Sequence, residues 1–348
     1  MTARAFTYEP KLVDRIVVRD FSFEFPPDLD PVWRPDNPVV THLFNGLSLV
    51  KPYLEPYLAK STQAAIPFID VPELVQDMHA FSAQESRHFE CHRRLNEILK
   101  SNGYPELVHV EQRMARSYGR LRKKSLRTQL AYNAGFECMT NGFTNWMINK
   151  RTQLFAGGSP HVVSFFLMHA VEETEHKTVA YDLYMAYSGK YWPRAWGVLH
   201  GSFHVLGFSL VGMFTALKKD RQLGKPRSIL AVAREVSSMV ANVAPYLLRA
   251  LLPWHNPRRD EDPQWMKDWI RGYAKLPSGA PLPLVDTSDP AMPVPFADTP
   301  GNRPGAIRST ERRRGDRRRQ AISDVASVLG FPDRRVSDRR SEQQLAGA

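Results

Sequence analysis

Two short stretches carry the residues best suited to chemistry. Gln84-Glu85-Ser86-Arg87-His88 and Glu172-Glu173-Thr174-Glu175-His176 each set a histidine three residues after a glutamate, with a polar residue before that glutamate. On a helix, positions i and i+3 share a face, so Glu85 projects with His88 and Glu173 with His176. Two such turns, joined by one glutamate from each of two further helices, make the ligand set of a four-helix dimetal carboxylate centre. A single Glu-x-x-His is weak evidence, because both residues are common. The paired set asks which helices supply the other two carboxylates.

The first helical pattern runs from Val39 to Ile66, with Leu43, Leu47, Val50, Leu54 and Leu58 recurring every three or four residues. Glu55 lies in it as the lone acid between Asp36 and Asp70, flanked by Pro52 and Pro56, which predict a kink or two abutting helices. Pro72 opens a second helix that carries Glu85 and His88 to about Lys100, ended by Ser101-Asn102-Gly103. A short basic helix follows over Val108–Arg122. The next pattern spans Ser125 to Phe155, and Glu137 is the lone acid of its apolar middle. A charge there costs several kcal/mol unless paired or metal-bound. Gly157-Gly158-Ser159-Pro160 then stops and restarts the chain, with Ser159 as cap. The following helix carries His169, Glu173 and His176 and reaches about Tyr187. The order is Glu55, then Glu85 with His88, then Glu137, then Glu173 with His176. All six are candidate metal ligands, and Glu137 and Glu173 are also the candidate catalytic groups.

Outer partners are expected from Gln84 and Glu172, each preceding a ligand glutamate, and from His92 and His169, one and two turns along from the ligand histidines. Tyr132 and Tyr181 are candidate redox tyrosines whose simpler role is core packing. Cys138 points away from the Glu137 face and reads as buried and inert.

Four carboxylates and two imidazoles suit iron or manganese, with zinc a further option. Two ferrous ions would reduce O2 on a small-molecule substrate, with electrons from a donor protein. The same metals could instead acidify a water for hydrolysis. A third reading leaves the bundle non-enzymatic, binding metal or membrane. No P-loop, dinucleotide fingerprint or serine elbow offers a rival site.

The flanks differ from this middle. Residues 1–38 form an expected extended arm, rich in proline and aromatics. Residues 39–276 form the expected bundle, including an apolar helix pair at about 196–252. Trp196–Leu217 approaches the roughly 20 residues of a bilayer span, so this pair is either a membrane hairpin or helices packed on the bundle or lying in an interface. Residues 277–348 read as a proline-rich linker and a disordered tail that repeats acid-Arg-Arg-x-x-Asp-Arg-Arg, at Glu311–Arg318 and Asp333–Arg340. Net charge is +11, which favours an anionic membrane surface reached through the basic loop and tail. Nucleic acid is not expected, since no aromatic interleaving or binding motif accompanies the basic residues. Two cysteines form no disulfide framework, and Met1–Arg19 lacks the apolar run of a signal peptide. Both point to the cytoplasm, with the inner membrane face as an alternative.

The ordered motifs resemble those of ferritin-like di-iron carboxylate proteins. Gln84-Glu85-Ser86-Arg87-His88 is similar to the Asp-Glu-x-Arg-His turn of bacterial di-iron monooxygenases. More closely, Tyr53-Leu54-Glu55-Pro56-Tyr57, Glu172 through Asp182, and Pro253-Trp254-His255-Asn256-Pro257 resemble a bacterial family labelled predicted metal-dependent hydrolase, over about residues 35–275. The resemblance implies an all-α, ferritin-like four-helix bundle with additional C-terminal helices, and favours iron. Where the monooxygenases carry aspartates before the ligand glutamates, this chain has Gln84 and Glu172, which implies two unequal metal positions.

Overall fold

The structure is a computed structural model and describes residues 6–8, 16–19, 23–277 and 279–296. The described chain is all-α. Its helices are α1 (Pro38–Ala65), α2 (Pro72–Ser101), α3 (Leu107–Leu121), α4 (Leu126–Asn149), α5 (Arg151–Phe155), α6 (Pro160–His176), α7 (Val179–Tyr187), α8 (Tyr191–Lys219), α9 (Pro226–Ala250) and α10 (Gln264–Tyr273).

The two abutting helices allowed for at Pro52 and Pro56 do not form: α1 is one helix with both prolines inside it. Pro52 cannot donate to the carbonyl of Ser48, four residues back, and that loss would normally kink the helix. Here the side-chain amide of Asn96 on α2 donates to the Ser48 carbonyl at 2.9 Å. The freed acceptor is satisfied from outside, so α1 runs on and Glu55 keeps helical register. At its start, Asn37 accepts a hydrogen bond from the Val40 amide and Pro38 takes the first turn.

Two long patterns divide instead. The helix of Glu137 ends at Asn149, with α5 as a separate turn. The helix of His176 ends at that residue, and α7 starts at Val179. Ser159 occupies the cap position of α6 without a side-chain capping bond. The loop after α9 lies over the α6–α7 break. Lys177 donates to the Asp260 carbonyl at 2.9 Å and pairs with Asp262 at 2.5 Å, and Arg258 grips Asp182 with both guanidinium nitrogens.

Helix α8 wedges against both α1 and α4, and its glycines allow near backbone contact. A Cβ at Gly46 would lie 2.1 Å from the Ser209 carbonyl oxygen, and one at Gly135 the same 2.1 Å from Gly197 backbone atoms. Large residues occupy the opposite face: Trp192, Trp196 and Phe203 are 78%, 63% and 70% exposed. Among the described residues, α8 alone is long and apolar enough to cross a membrane. In this fold it lies on the bundle.

Residues 279–296, expected to begin a free linker, are fastened to the core. The Val285 amide donates to Ser164 Oγ, the Gly157 amide to the Thr287 carbonyl, and Arg151 to the carbonyls of Ala291 and Met292. Proline removes backbone donors without preventing such contacts, so proline content alone does not mark the edge of the packed chain. The arginine-rich repeats lie outside the described residues.

Candidate metal centre

Helices α1, α2, α4 and α6 bring the six candidate ligands together in the bundle interior. Glu55, His88, His169 and Glu173 each offer one donor atom to a first cluster, and Glu85, Glu137, Glu173 and His176 to a second. Within each cluster the donor atoms lie within 4.8 Å of one another. All seven residues are buried. Glu173 belongs to both clusters and stands between them.

Hydrogen bonds outside the clusters aim the two motif histidines. His88 Nε2–H donates to Glu172 Oε2 at 2.7 Å, and His176 Nε2–H donates to Gln84 Oε1 at 2.6 Å. The partners cross over, since each histidine is held by the residue preceding the other motif's glutamate. With Nε2 turned outward, Nδ1 of each ring faces the carboxylates; burial pushes both rings down, but hydrogen bonds to Glu172 and Glu85 hold His88 well above the usual histidine range and those to Glu173 and Glu85 hold His176 up at about 10, so a metal would take the place of the Nδ1 proton. His176 Nδ1 lies 3.3 Å from Glu173 and 3.5 Å from Glu85; His88 Nδ1 lies 3.8 Å from Glu85.

A third chain orients His169. The Asn96 amide donates to a backbone carbonyl, so its Oδ1 is the acceptor facing Ser48. The Ser48 hydroxyl spends its one proton on that oxygen at 2.7 Å. The chain goes on from Ser48 Oγ to His92 Nδ1 at 2.8 Å and from His92 Nε2 to His169 Nδ1 at 2.7 Å. Burial, then the charge of neighbouring groups, pushes both rings well below the usual histidine range and keeps them neutral. His169 Nε2 hydrogen-bonds Glu173 Oε1 at 2.7 Å, the carboxylate accepting, and lies 3.5 Å from Glu55 Oε1. The sequence placed His169 among the outer partners; the geometry sets it inside the first cluster, because seven residues before His176 is two turns on one face. His92 stays behind it.

Whether the site suits a metal is tested by its unpaired atoms. Both oxygens of Glu55, Glu85 and Glu137, and His88 Nδ1, are buried without a hydrogen-bond partner in the protein. Burial, then in part the neighbouring carboxylates, drives the Glu55 and Glu137 carboxyls well above their usual range. Such atoms cost about 1–3 kcal/mol each when left unmet, and more when charged. A divalent cation satisfies several at once. The donor set therefore fits a metal, and its oxygen and imidazole character fits iron, manganese or zinc.

Three contributors went unseen in the sequence. Lys51, one turn before Glu55, reaches into the first cluster with Nζ 2.5 Å from Glu173 Oε1. Its position four residues ahead of a candidate ligand was the available signal. Arg19 comes from the N-terminal arm and is buried between Glu172, at 2.9 Å, and Glu175, with the Trp269 and Tyr273 rings over its guanidinium. Glu175 in turn accepts from Gln84 Nε2 at 2.9 Å. Arg19 thus stands behind both outer partners, Glu172 directly and Gln84 through Glu175. No local pattern announces it.

The remaining candidates settle elsewhere. Tyr181 donates its hydroxyl to the His255 carbonyl at 2.5 Å, and Tyr132 pairs with Tyr118 and His204 at 3.0 and 2.8 Å. Cys138 is buried beside His255 Nε2, and burial pushes its thiol up to about 12. At the edge of the first cluster an apolar cleft opens, lined by Phe44, Phe136, Phe143 and Phe166 and ending at Lys51, His169 and Glu173.

Residues 17–261 match the family described as predicted metal-dependent hydrolase. The chain belongs to that family. The match starts within the N-terminal arm and so takes in Arg19, and it stops before α10. No curated protein and no solved structure matches the chain.

Proposed function

We propose that this member of the family is a metal-dependent hydrolase acting on a largely apolar substrate. The observation that carries the reading is the convergence of seven buried oxygen and nitrogen donors beside an apolar cleft. Glu85, Glu137, Glu173 and His176 would hold a metal in the second cluster, with Glu55, His88 and His169 the further donors of the first. When bound, the metal supplies a Lewis acid and an acidified water. The protein's own groups do the rest. The cleft's phenylalanines bind the apolar part of the substrate and exclude bulk water. Glu137 and Glu173 serve as proton acceptors beside the reacting water. Lys51 Nζ lies at the inner end of the cleft, where its ammonium faces the charge that develops on the scissile group.

The O2-dependent oxidase suggested by the ligand order is the second reading. The family description favours hydrolysis over it. Its specific support is the oxygen-rich donor set, which also suits two irons. An electron-donor protein would then be needed as partner. The deciding experiment incubates iron-, manganese- or zinc-loaded protein with nitrophenyl esters of increasing acyl length, under argon and under air. Metal-dependent hydrolysis that is equal in both gases and rises with acyl length is expected. Iron-dependent O2 uptake without ester cleavage would overturn the hydrolase reading in favour of the second.

The substrate class also suggests where the protein works. Trp192, Trp196 and Phe203 line the outer face of α8, and Lys218, Lys219, Arg221, Lys225 and Arg227 follow around the α8–α9 connection. An aromatic face ending in basic residues matches an anionic lipid surface. The wild-type chain is expected to sediment with phosphatidylserine vesicles, and a Trp196→Ser/Phe203→Ser variant to stay in the supernatant with its fold intact. Equal sedimentation of the two would remove the membrane from this reading.

A further inference from the structure

Lys51 is an unusual neighbour for a metal centre, because it brings a positive charge of its own into the first cluster. Its Nζ lies 2.5 Å from Glu173 Oε1, 3.3 Å from Glu55 Oε1 and 3.4 Å from His169 Nε2. An ammonium carries three N–H donors and no acceptor. The first cluster thus holds a buried ammonium ion-paired to two of its members, Glu173 and Glu55.

The lysine's position is also constrained from behind. It leaves α1 one turn before Glu55, and its Nζ stands 5.3 Å from the centre of the Phe136 ring. The second cluster has no such group. Four residues before Glu137, the position matching Lys51, stands Asn133, and its amide donates to Ser61 Oγ at 2.8 Å and to the Leu58 carbonyl. It is committed to α1 and brings no charge to Glu85, Glu137 or His176.

We propose that Lys51 is the resident cation of the first cluster, standing where a second metal ion would otherwise bind, so that the chain holds one metal ion, in the second cluster. The inference rests on the metal-centre reading above and refines it. Each centre would pair a single metal with a fixed ammonium across Glu173. It replaces the expectation of two metals drawn from the ligand set.

The test is metal stoichiometry, which needs no substrate. Purified wild type, Lys51→Met and Lys51→Gln are incubated with excess Mn(II), desalted, and measured by mass spectrometry of the metal against protein concentration, with folding checked by circular dichroism. Wild type is expected to hold about one ion per chain and to give the six-line signal of isolated Mn(II) in electron paramagnetic resonance. Either neutral variant is expected to hold about two, with the broadened signal of a coupled pair. Two ions in wild type overturn the inference and leave the metal centre standing, a result that needs no variant at all. One ion in wild type and one in a folded variant overturn it as well, since Lys51 would not be what limits the count. No ion in any of the three overturns the metal-centre reading itself.

Discussion

The two halves of the centre are built on one plan and differ just outside it. In each half a single glutamate faces a Glu-x-x-His turn: Glu55 with Glu85 and His88 on α1 and α2, Glu137 with Glu173 and His176 on α4 and α6. Four residues before the single glutamate the halves part. The first half has Lys51, inside the cluster; the second has Asn133, turned away. They part again in the outer partners. His88 leans on Glu172, a carboxylate backed by Arg19, whereas His176 leans on the neutral Gln84. The motif repeats the donors, and the residues beside it set the charge. The first half carries cations of its own. The second cluster draws Glu85 across from the first half, so that Glu85, Glu137 and Glu173 converge on the single histidine His176 with no buried lysine or arginine among the donors, and three carboxylates against one imidazole leave the greater need for an added cation there.

The largest effect should come from the residue that the halves share. Burial pushes the Glu173 carboxyl up, but Lys51 together with the hydrogen bonds from His169 and His176 outweighs that and holds it well below the usual carboxylate range. It is a full charge available to both clusters. Glu173→Ala should abolish metal retention after desalting and lower metal-dependent turnover by at least about a thousandfold, toward the loss expected when a group acting on the reaction is removed. It should also leave Lys51 with only Glu55 as a carboxylate partner. Retained metal at the wild-type level would show that the clusters do not depend on their shared member.

A smaller effect separates the halves. Glu137→Gln removes a donor from the second cluster, and Glu55→Gln one from the first. If the metal sits in the second, Glu137→Gln should weaken it by roughly 10–100-fold, the range seen when a supporting group of a metal site is lost, or by more. Glu55→Gln should change affinity by less than about threefold, its main cost falling on Lys51. Titration with a fluorescent competitor for Mn(II) or Zn(II) reads both. The reverse ranking would place the metal beside Lys51.

Much of this arrangement is local and therefore legible in the chain itself. Helical period sets Glu85 with His88 and Glu173 with His176, and their burial follows from the apolar runs around them. Glu55 and Glu137 stood out as lone acids in apolar segments. What escaped depended on distant groups. Pro52 fails to break α1 because Asn96, on another helix, takes the carbonyl it leaves free. Arg19 reaches the outer partners from an arm whose own sequence has no helical period. His169 lay on the right face and was placed a layer too far out, since its place is decided by contacts with Glu173 and, on another helix, His92. The inward face of α8 is small-residue packing that composition reads equally well as a membrane span. Its contacts with α1 and α4, at distances that exclude a Cβ on Gly46 or Gly135, show which face packs on the bundle.

The smallest effect, and the finest probe of the asymmetry, lies in the outer partners. Gln84→Leu removes the acceptor for His176 Nε2–H and leaves that ring free to turn or to change tautomer. Glu172→Gln keeps an amide oxygen that can accept from His88 and removes only charge, with Glu175 still available to Arg19. With the metal held through His176, Gln84→Leu should cost about tenfold in metal affinity and Glu172→Gln less than about threefold. The two substitutions are matched in distance from the centre, since each original side chain sits one hydrogen bond behind a motif histidine, at 2.6 and 2.7 Å. Equal losses would mean that both histidines bear on bound metal alike, and the first half would then have to hold an ion despite Lys51. A loss confined to Gln84→Leu would tie the metal to the half that brings no buried cation of its own.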